Sequence, residues 1–306
     1  MMKLKAYCEL VRLPNLFTAA ADILAGYFFI VQEVHLSASL LLLVGASCSL
    51  YAAGIVINDL RDIEIDRRER PERPLPSGRI GRPAAVRLAA ALCALGLICA
   101  TLAWSPTQPL KVFESVNFTA LTAVGLLAAI LLYDLVLKET ALGPIGMGLC
   151  RALNLTLPLA LGRFGDEATF RHVAAMVIAF GIFVASFTHF GRDEAGTVGR
   201  RRLVIGFFGI VVALLALGVL TASAGEPTAP AVILWMALAV HLGRVGLRAI
   251  RRPSPGMVRY AMKTFIFGII GWGAVIGATT AGLPAAGVIL CLLIPAIVVG
   301  RWVYST

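Results

Sequence analysis

Apolar runs of about 20 residues, separated by short polar or basic turns, repeat from one end of the chain to the other. They cover approximately 13–31, 37–57, 83–103, 116–133, 142–162, 172–190, 203–223, 229–247, 261–281 and 284–303. At a rise of about 1.5 Å per residue, a helix of that length crosses about 30 Å of hydrocarbon. Membrane-spanning strands would instead alternate apolar and polar positions over roughly ten residues, and that alternation is absent. The pattern therefore predicts an all-α, polytopic membrane protein of about nine to ten transmembrane helices.

Composition excludes the soluble alternative, because 59% of the 306 residues are hydrophobic and only 14% are charged. The net charge of +10 is sorted by loop and not interleaved with aromatics on one surface, which argues against nucleic acid and for membrane topology. Lys3, Lys5, Arg12, the arginines from Arg61 to Arg82, Lys138, Arg192, Arg200 to Arg202 and the group from Arg244 to Lys263 fall on one side. Only Lys111, Arg163 and Arg171 fall on the other. The positive-inside rule puts the first side in the cytoplasm, and a bacterial inner membrane is the expected setting. Lys3 and Lys5 before an apolar run imitate a signal peptide, but the spans that follow favour a retained first helix. The six cysteines lie mostly within apolar segments and form no C-x-x-C, so neither a disulfide framework nor a zinc site is indicated.

One polar stretch stands out against this background. Asn58-Asp59-Leu60-Arg61-Asp62-Ile63-Glu64-Ile65-Asp66 closes the second span and leads into a loop rich in Arg and Pro. If the helix continues through it, Asn58, Asp62 and Asp66 stack on one face, with Asp59 beside them. Carboxylates so close together repel one another and call for a cation, and hard oxygen ligands suit Mg²⁺, which also holds diphosphates. Further along, Asp22 and Arg151 sit within spans, where an ionised group is costly unless it faces a polar interior or a partner. For Asp22 a polar cavity and a neighbouring helix are both open; for Arg151, a carboxylate and an anionic ligand.

The N-D-x-x-D-x-x-x-D pattern, followed by Arg73-Pro74-Leu75-Pro76-Ser77-Gly78-Arg79, resembles the first Asp-rich motif of the UbiA superfamily of intramembrane prenyltransferases. Chain-wide, the pattern looks similar to the UbiA-like, EboC-type branch. The resemblance implies a single transmembrane domain over 1–306. Its nine-helix core would enclose a central cavity opening to the cytoplasm and to lipid, with related halves at 1–162 and 163–306. It also implies Mg²⁺ held by Asn58, Asp59, Asp62 and Asp66, and a diphosphate held by Lys138, Arg73, Arg151, Asn154 and Arg12. Arg151 and Asn154 resemble the C-R-x-x-N element of some members, and Arg12 is equally well placed as an interfacial anchor. Tyr133 and Lys138 are one residue further apart than the family's usual Y-x-x-x-K. The second Asp-rich motif is incomplete: Asp193 takes its first position and Glu194 follows, but Thr197 stands where the last Asp belongs. The neighbouring His189 suits a general base or a structural role.

These features together imply Mg²⁺-dependent transfer of a prenyl group from an allylic isoprenyl diphosphate to an aromatic or other lipophilic acceptor. Asp62, Asp66 and Asp193 would then be the central acids. The alternative is a protein of the same fold that binds or transports a polyprenyl phosphate without breaking a bond, which the incomplete second motif favours.

Overall fold

The computed structural model describes residues 2–104, 117–162, 167–192, 199–223 and 228–303. The described residues are helical throughout their regular structure: α1 (Met2–Leu10), α2 (Leu13–Val31), α3 (Ala38–Arg61), α4 (Ile63–Glu69), α5 (Arg82–Ala103), α6 (Phe118–Leu132), α7 (Gly143–Leu159), α8 (Glu167–Phe190), α9 (Arg200–Ser223), α10 (Ala229–Arg251), α11 (Pro255–Thr280), α12 (Gly282–Cys291) and α13 (Leu293–Trp302). Among these residues nine helical stretches are long and apolar enough to cross a membrane. Counting α7, which is shorter at 17 residues, every one of the ten apolar runs is helical.

Two of the differences from the expected boundaries have local causes. The last run is not one helix but two, α12 and α13, meeting at Leu292. Pro295 has no amide hydrogen to give to Cys291, and its ring crowds the carbonyl four residues back, which breaks the ladder there. The second run extends past its apolar limit because α3 continues to Arg61, with Ser37 capping its start by accepting from the Leu40 amide at 3.0 Å. The acid motif is thereby carried on the last turn of a helix.

Neighbours in sequence are mostly neighbours in space: α3 packs on α5, α6 on α7, α7 on α8, α8 on α9, α10 on α11 and α11 on α12. The second helix, α2, closes this arrangement by touching α3, α7, α11 and α13. An aromatic seam ties α8 to α11. Phe183 stacks on Trp272 with centroids 5.1 Å apart, and Phe190 meets Phe265 edge-on at 5.4 Å. Where α7 crosses α8 the contact is made by small residues, and a Cβ added at Gly148 would stand 2.5 Å from the Gly181 carbonyl oxygen.

A buried polar junction joins α2, α3 and α7. Arg151 donates to Asp22 and to the Thr18 carbonyl, both at 3.1 Å, and its guanidinium lies over the Tyr51 ring. Asn154 donates to Asp22 at 2.8 Å and accepts from Ser47 at 2.7 Å. Asp22 and Arg151 are thus each other's partners, while the buried Arg151 Nε has no hydrogen-bond partner among the described residues.

A second, smaller apolar cluster sits beside the acid motif. Ala6 and Leu10 of α1, Val56 of α3 and Ala85 and Ala89 of α5 bury Leu75 and Ile80. These last two residues pull the 70–81 loop down onto the bundle. The loop closes on itself through the Ser77 amide to the Arg73 carbonyl at 3.0 Å and turns at Gly78, whose φ of 73° favours a residue without a Cβ. Its conformation fixes where Arg73 projects.

Removing one member of the buried ion pair strands the other. Asp22→Ala is expected to cost about 3–5 kcal/mol, and the double change Asp22→Leu with Arg151→Met to recover much of it. Thermal unfolding in detergent reads both. By the same assay Gly148→Ala is expected to destabilise by about 1–3 kcal/mol through overpacking, whereas Gly125→Ala, where nothing lies within 4 Å of the added carbon, is expected to be neutral or better.

Candidate active site

The acid motif begins as helix and then bends. The i→i−4 hydrogen bonds run on across the bend, Asp62 amide to Asn58 carbonyl at 3.0 Å and Asp66 amide to Asp62 carbonyl at 2.8 Å. Asp62 itself, at φ −85° and ψ 5°, leaves α-helical geometry and separates α3 from α4. The single stack of oxygen donors expected from an unbroken helix is therefore divided into two groups.

Asn58 and Asp62 form the first group. Both accept from the Lys138 ammonium, Asn58 Oδ1 at 2.7 Å and Asp62 Oδ2 more closely. Asp59 and Asp66 form the second. Arg12 donates to Asp59 at 3.0 Å, while Arg73 donates to both oxygens of Asp66, at 2.8 and 3.0 Å, and lies 3.8 Å from Asp59. Asp59 and Asp66 are only 5% and 2% exposed, so these ion pairs are shielded from water and stronger than surface pairs. Arg12 reaches Asp59 from a left-handed corner between α1 and α2, at φ 46° and ψ 55°, a conformation costing a non-glycine residue on the order of 1 kcal/mol.

Lys138 arrives at this group through an irregular turn. Residues Tyr133–Leu137 at the end of α6 wind as a single π-turn, in which the Lys138 amide bonds the Tyr133 carbonyl, five residues back, at 2.9 Å. A π-turn holds one residue more than an α-turn and returns the chain to nearly the same angular position. The extra residue between Tyr133 and Lys138 is absorbed there, and Lys138 still faces α3. Arg61 secures the turn from the α3 side by donating to the Asp134 carbonyl and, at 3.1 Å, to Glu139. Arg192, at the end of α8, donates to the Glu139 carbonyl at 2.9 Å.

The structure thus brings Asn58, Asp59, Asp62, Asp66, Arg12, Arg73 and Lys138 together at one end of the bundle. It does not bring Arg151 and Asn154 there. They belong to the Asp22 junction, next to Tyr51, which precedes Asn58 by seven residues and so lies about 10 Å deeper along α3. Asp193 and Glu194 lie outside the described residues. One buried acid at this end escaped the sequence reading, Asp134 within the π-turn, 4% exposed and within electrostatic reach of Lys138, Asp62, Arg61 and Arg12. Its only signal was its position between Tyr133 and Lys138 at the close of a span.

The donor chemistry fits a hard cation. Asn58 Oδ1 and Asp62 Oδ2 already converge on one cationic centre, the Lys138 ammonium, which stands in for such an ion. Among the described residues no three or more His, Cys, Asp or Glu side chains gather around one point. A bound Mg²⁺ would draw the rest of its oxygen shell from a ligand, water or residues outside that set.

A digeranylgeranylglyceryl phosphate synthase of Ignicoccus hospitalis is 46% identical over 95 residues, covering 31% of this chain and 30% of that protein. The match therefore spans less than a third of the relative's length. A solved structure of a digeranylgeranylglyceryl phosphate synthase superposes with a TM-score of 0.66 at 21% identity, covering 92% of this chain and 99% of the other. A UbiA homologue from Archaeoglobus fulgidus, bound to GPP and Mg²⁺, superposes with a TM-score of 0.60 at 17% identity over 89% and 99% of the two chains. At these identities the two structures establish a shared fold, that of an integral, multi-pass membrane protein. The family model described as UbiA prenyltransferase matches residues 19–265, from α2 into α11. The chain belongs to the UbiA prenyltransferase family.

Proposed function

We propose that this protein transfers a prenyl group from an allylic isoprenyl diphosphate to a lipophilic acceptor at the end of the bundle that carries the acid motif. The observation that carries the reading is the convergence of Asn58 and Asp62 on a single cation at the mouth of a membrane bundle. Family membership supports it, as do the GPP and Mg²⁺ bound to the Archaeoglobus homologue. The concentration of Lys and Arg on the motif side supports a cytoplasmic position for it.

In this reading Asn58 and Asp62 hold Mg²⁺, with Asp59 and Asp66 next to them and Asp193 and Glu194 as further oxygen donors. When bound, the ion supplies positive charge against the leaving diphosphate. The remaining chemistry falls to the chain. Lys138 and Arg73 donate hydrogen bonds to phosphate oxygens as the allylic carbon–oxygen bond breaks and both its electrons pass to the diphosphate. Arg12, beside Asp59, adds to the same field. A lone pair of the acceptor then forms the new bond to the allylic carbon, and the proton the acceptor gives up ends on the released diphosphate. The apolar bundle beneath keeps out water, which would otherwise capture the cation as an alcohol. Arg151 and Asn154 hold α7 to α2 and take no part at the diphosphate.

The names of the relatives make geranylgeranyl diphosphate with geranylgeranylglyceryl phosphate the first substrate pair to try. In lipid nanodiscs the wild-type chain is expected to release pyrophosphate only with Mg²⁺ present, and Asp62→Ala to lower the rate about 100-fold or more. Tight diphosphate binding with no pyrophosphate formed across a panel of acceptors would instead favour a binding or transport protein, the reading suggested by Thr197 in the second motif.

A further inference from the structure

The π-turn does more than restore the direction of Lys138, because the residue it accommodates brings a carboxylate into the bundle. Asp134 is 4% exposed, and among the described residues no donor gives its carboxylate a hydrogen bond. An acid packed between helices without a donor is costly unless some group supplies one. The other acids at this end are committed: Asp62 to Lys138, Asp59 to Arg12 and Asp66 to Arg73.

Its position is set by α3. A Cβ placed at Gly54 would stand 3.6 Å from Asp134 Oδ2 and 2.8 Å from Ile130, so the bare backbone at Gly54 leaves the carboxylate its room. Gly54, Asn58 and Asp62 are spaced by four and share one face of α3. Asp134 therefore lies beside the helix turn directly inward of Asn58, about 6 Å along the axis. A diphosphate gripped at Asn58, Asp62 and Lys138 with its hydrocarbon tail inward has its reacting carbon on that inward side. Lys138 does not depend on Asp134 for its direction, since Asn58 and Asp62 already hold the ammonium.

We propose that Asp134 is the catalytic residue that receives the acceptor, taking a hydrogen bond from its hydroxyl and so selecting hydroxyl-bearing acceptors. This rests on the transferase reading above. As the allylic carbon–oxygen bond breaks with its electrons going to the diphosphate, a lone pair of the hydroxyl oxygen bonds to the allylic carbon. The proton on that oxygen passes to the Asp134 carboxylate and from there to the departing diphosphate, so that charge and atoms balance. The extra residue in the π-turn is the means by which this chain places a carboxylate at the reacting carbon.

The test uses the full chain in nanodiscs, with geranylgeranyl diphosphate and geranylgeranylglyceryl phosphate for turnover and geranylgeranyl thiolodiphosphate, which does not ionise readily, for binding. Asp134→Asn is expected to bind the thiolo analogue as tightly as the wild type while pyrophosphate release with acceptor falls about 100-fold. Asp134→Glu, which keeps the carboxylate, is expected to retain part of the rate; unfolding midpoints matching the wild type show both variants folded. Unchanged turnover by Asp134→Asn overturns the assignment. So does a loss of analogue affinity in step with the loss of rate, which is the behaviour of a residue that merely steadies Lys138. A wild-type chain that releases pyrophosphate only with acceptors lacking a hydroxyl overturns this assignment alone, whereas one that releases none with any acceptor overturns the transferase reading and this assignment with it.

Discussion

One ammonium group held between an amide and a carboxylate sets the terms for this end of the molecule. Lys138 comes from the end of α6, Asn58 and Asp62 from the end of α3, and their meeting fixes the two helices against each other. Acids at a membrane boundary need compensating charge, and the fold provides it from three directions. Lys138 reaches in from the π-turn, Arg73 from a loop pinned by Leu75 and Ile80, and Arg12 from a strained corner. Each cation is an existing counter-charge to the motif and a donor suited to phosphate oxygens. Asp59, Asp62 and Asp66 are each matched by a cation before any ligand arrives, and an incoming diphosphate competes with these carboxylates for the same donors.

The bundle itself was plain in the sequence because hydrocarbon imposes a simple rule: a long apolar run must be helical, with its backbone bonded internally. All ten runs follow it. The acid motif was equally legible as residue types at a helix end. Its division into Asn58 with Asp62 and Asp59 with Asp66 was not, because it depends on a bend at Asp62 that no spacing rule carries. The Asp22 and Arg151 pair shows the limit differently. Each residue announced that it needed a partner, yet they lie 129 positions apart, and nothing local says that α2 and α7 touch.

The interval from Tyr133 to Lys138 is a third case. Measured against a regular helix it is one residue longer than the family's Y-x-x-x-K. The π-turn removes the misfit by widening one turn of backbone. Asp134 is hidden in the sequence for a related reason. At the end of a span a charged residue is ordinary, and only the close approach of α3 at Gly54 turns it inward.

The interruption at Leu292 bears on how the chain is assembled. Each of its ten-residue arms extends about 15 Å, half of what a hydrocarbon layer demands, so neither arm traverses the bilayer unaided. Together they make one stretch of 21 residues, long and apolar enough to cross, and each arm is docked separately: α12 leans on α11 through Ile289 at Gly277, and α13 runs beside α2 with Gly300 against Pro14. The break at Leu292 thereby lets a single crossing serve two different neighbours.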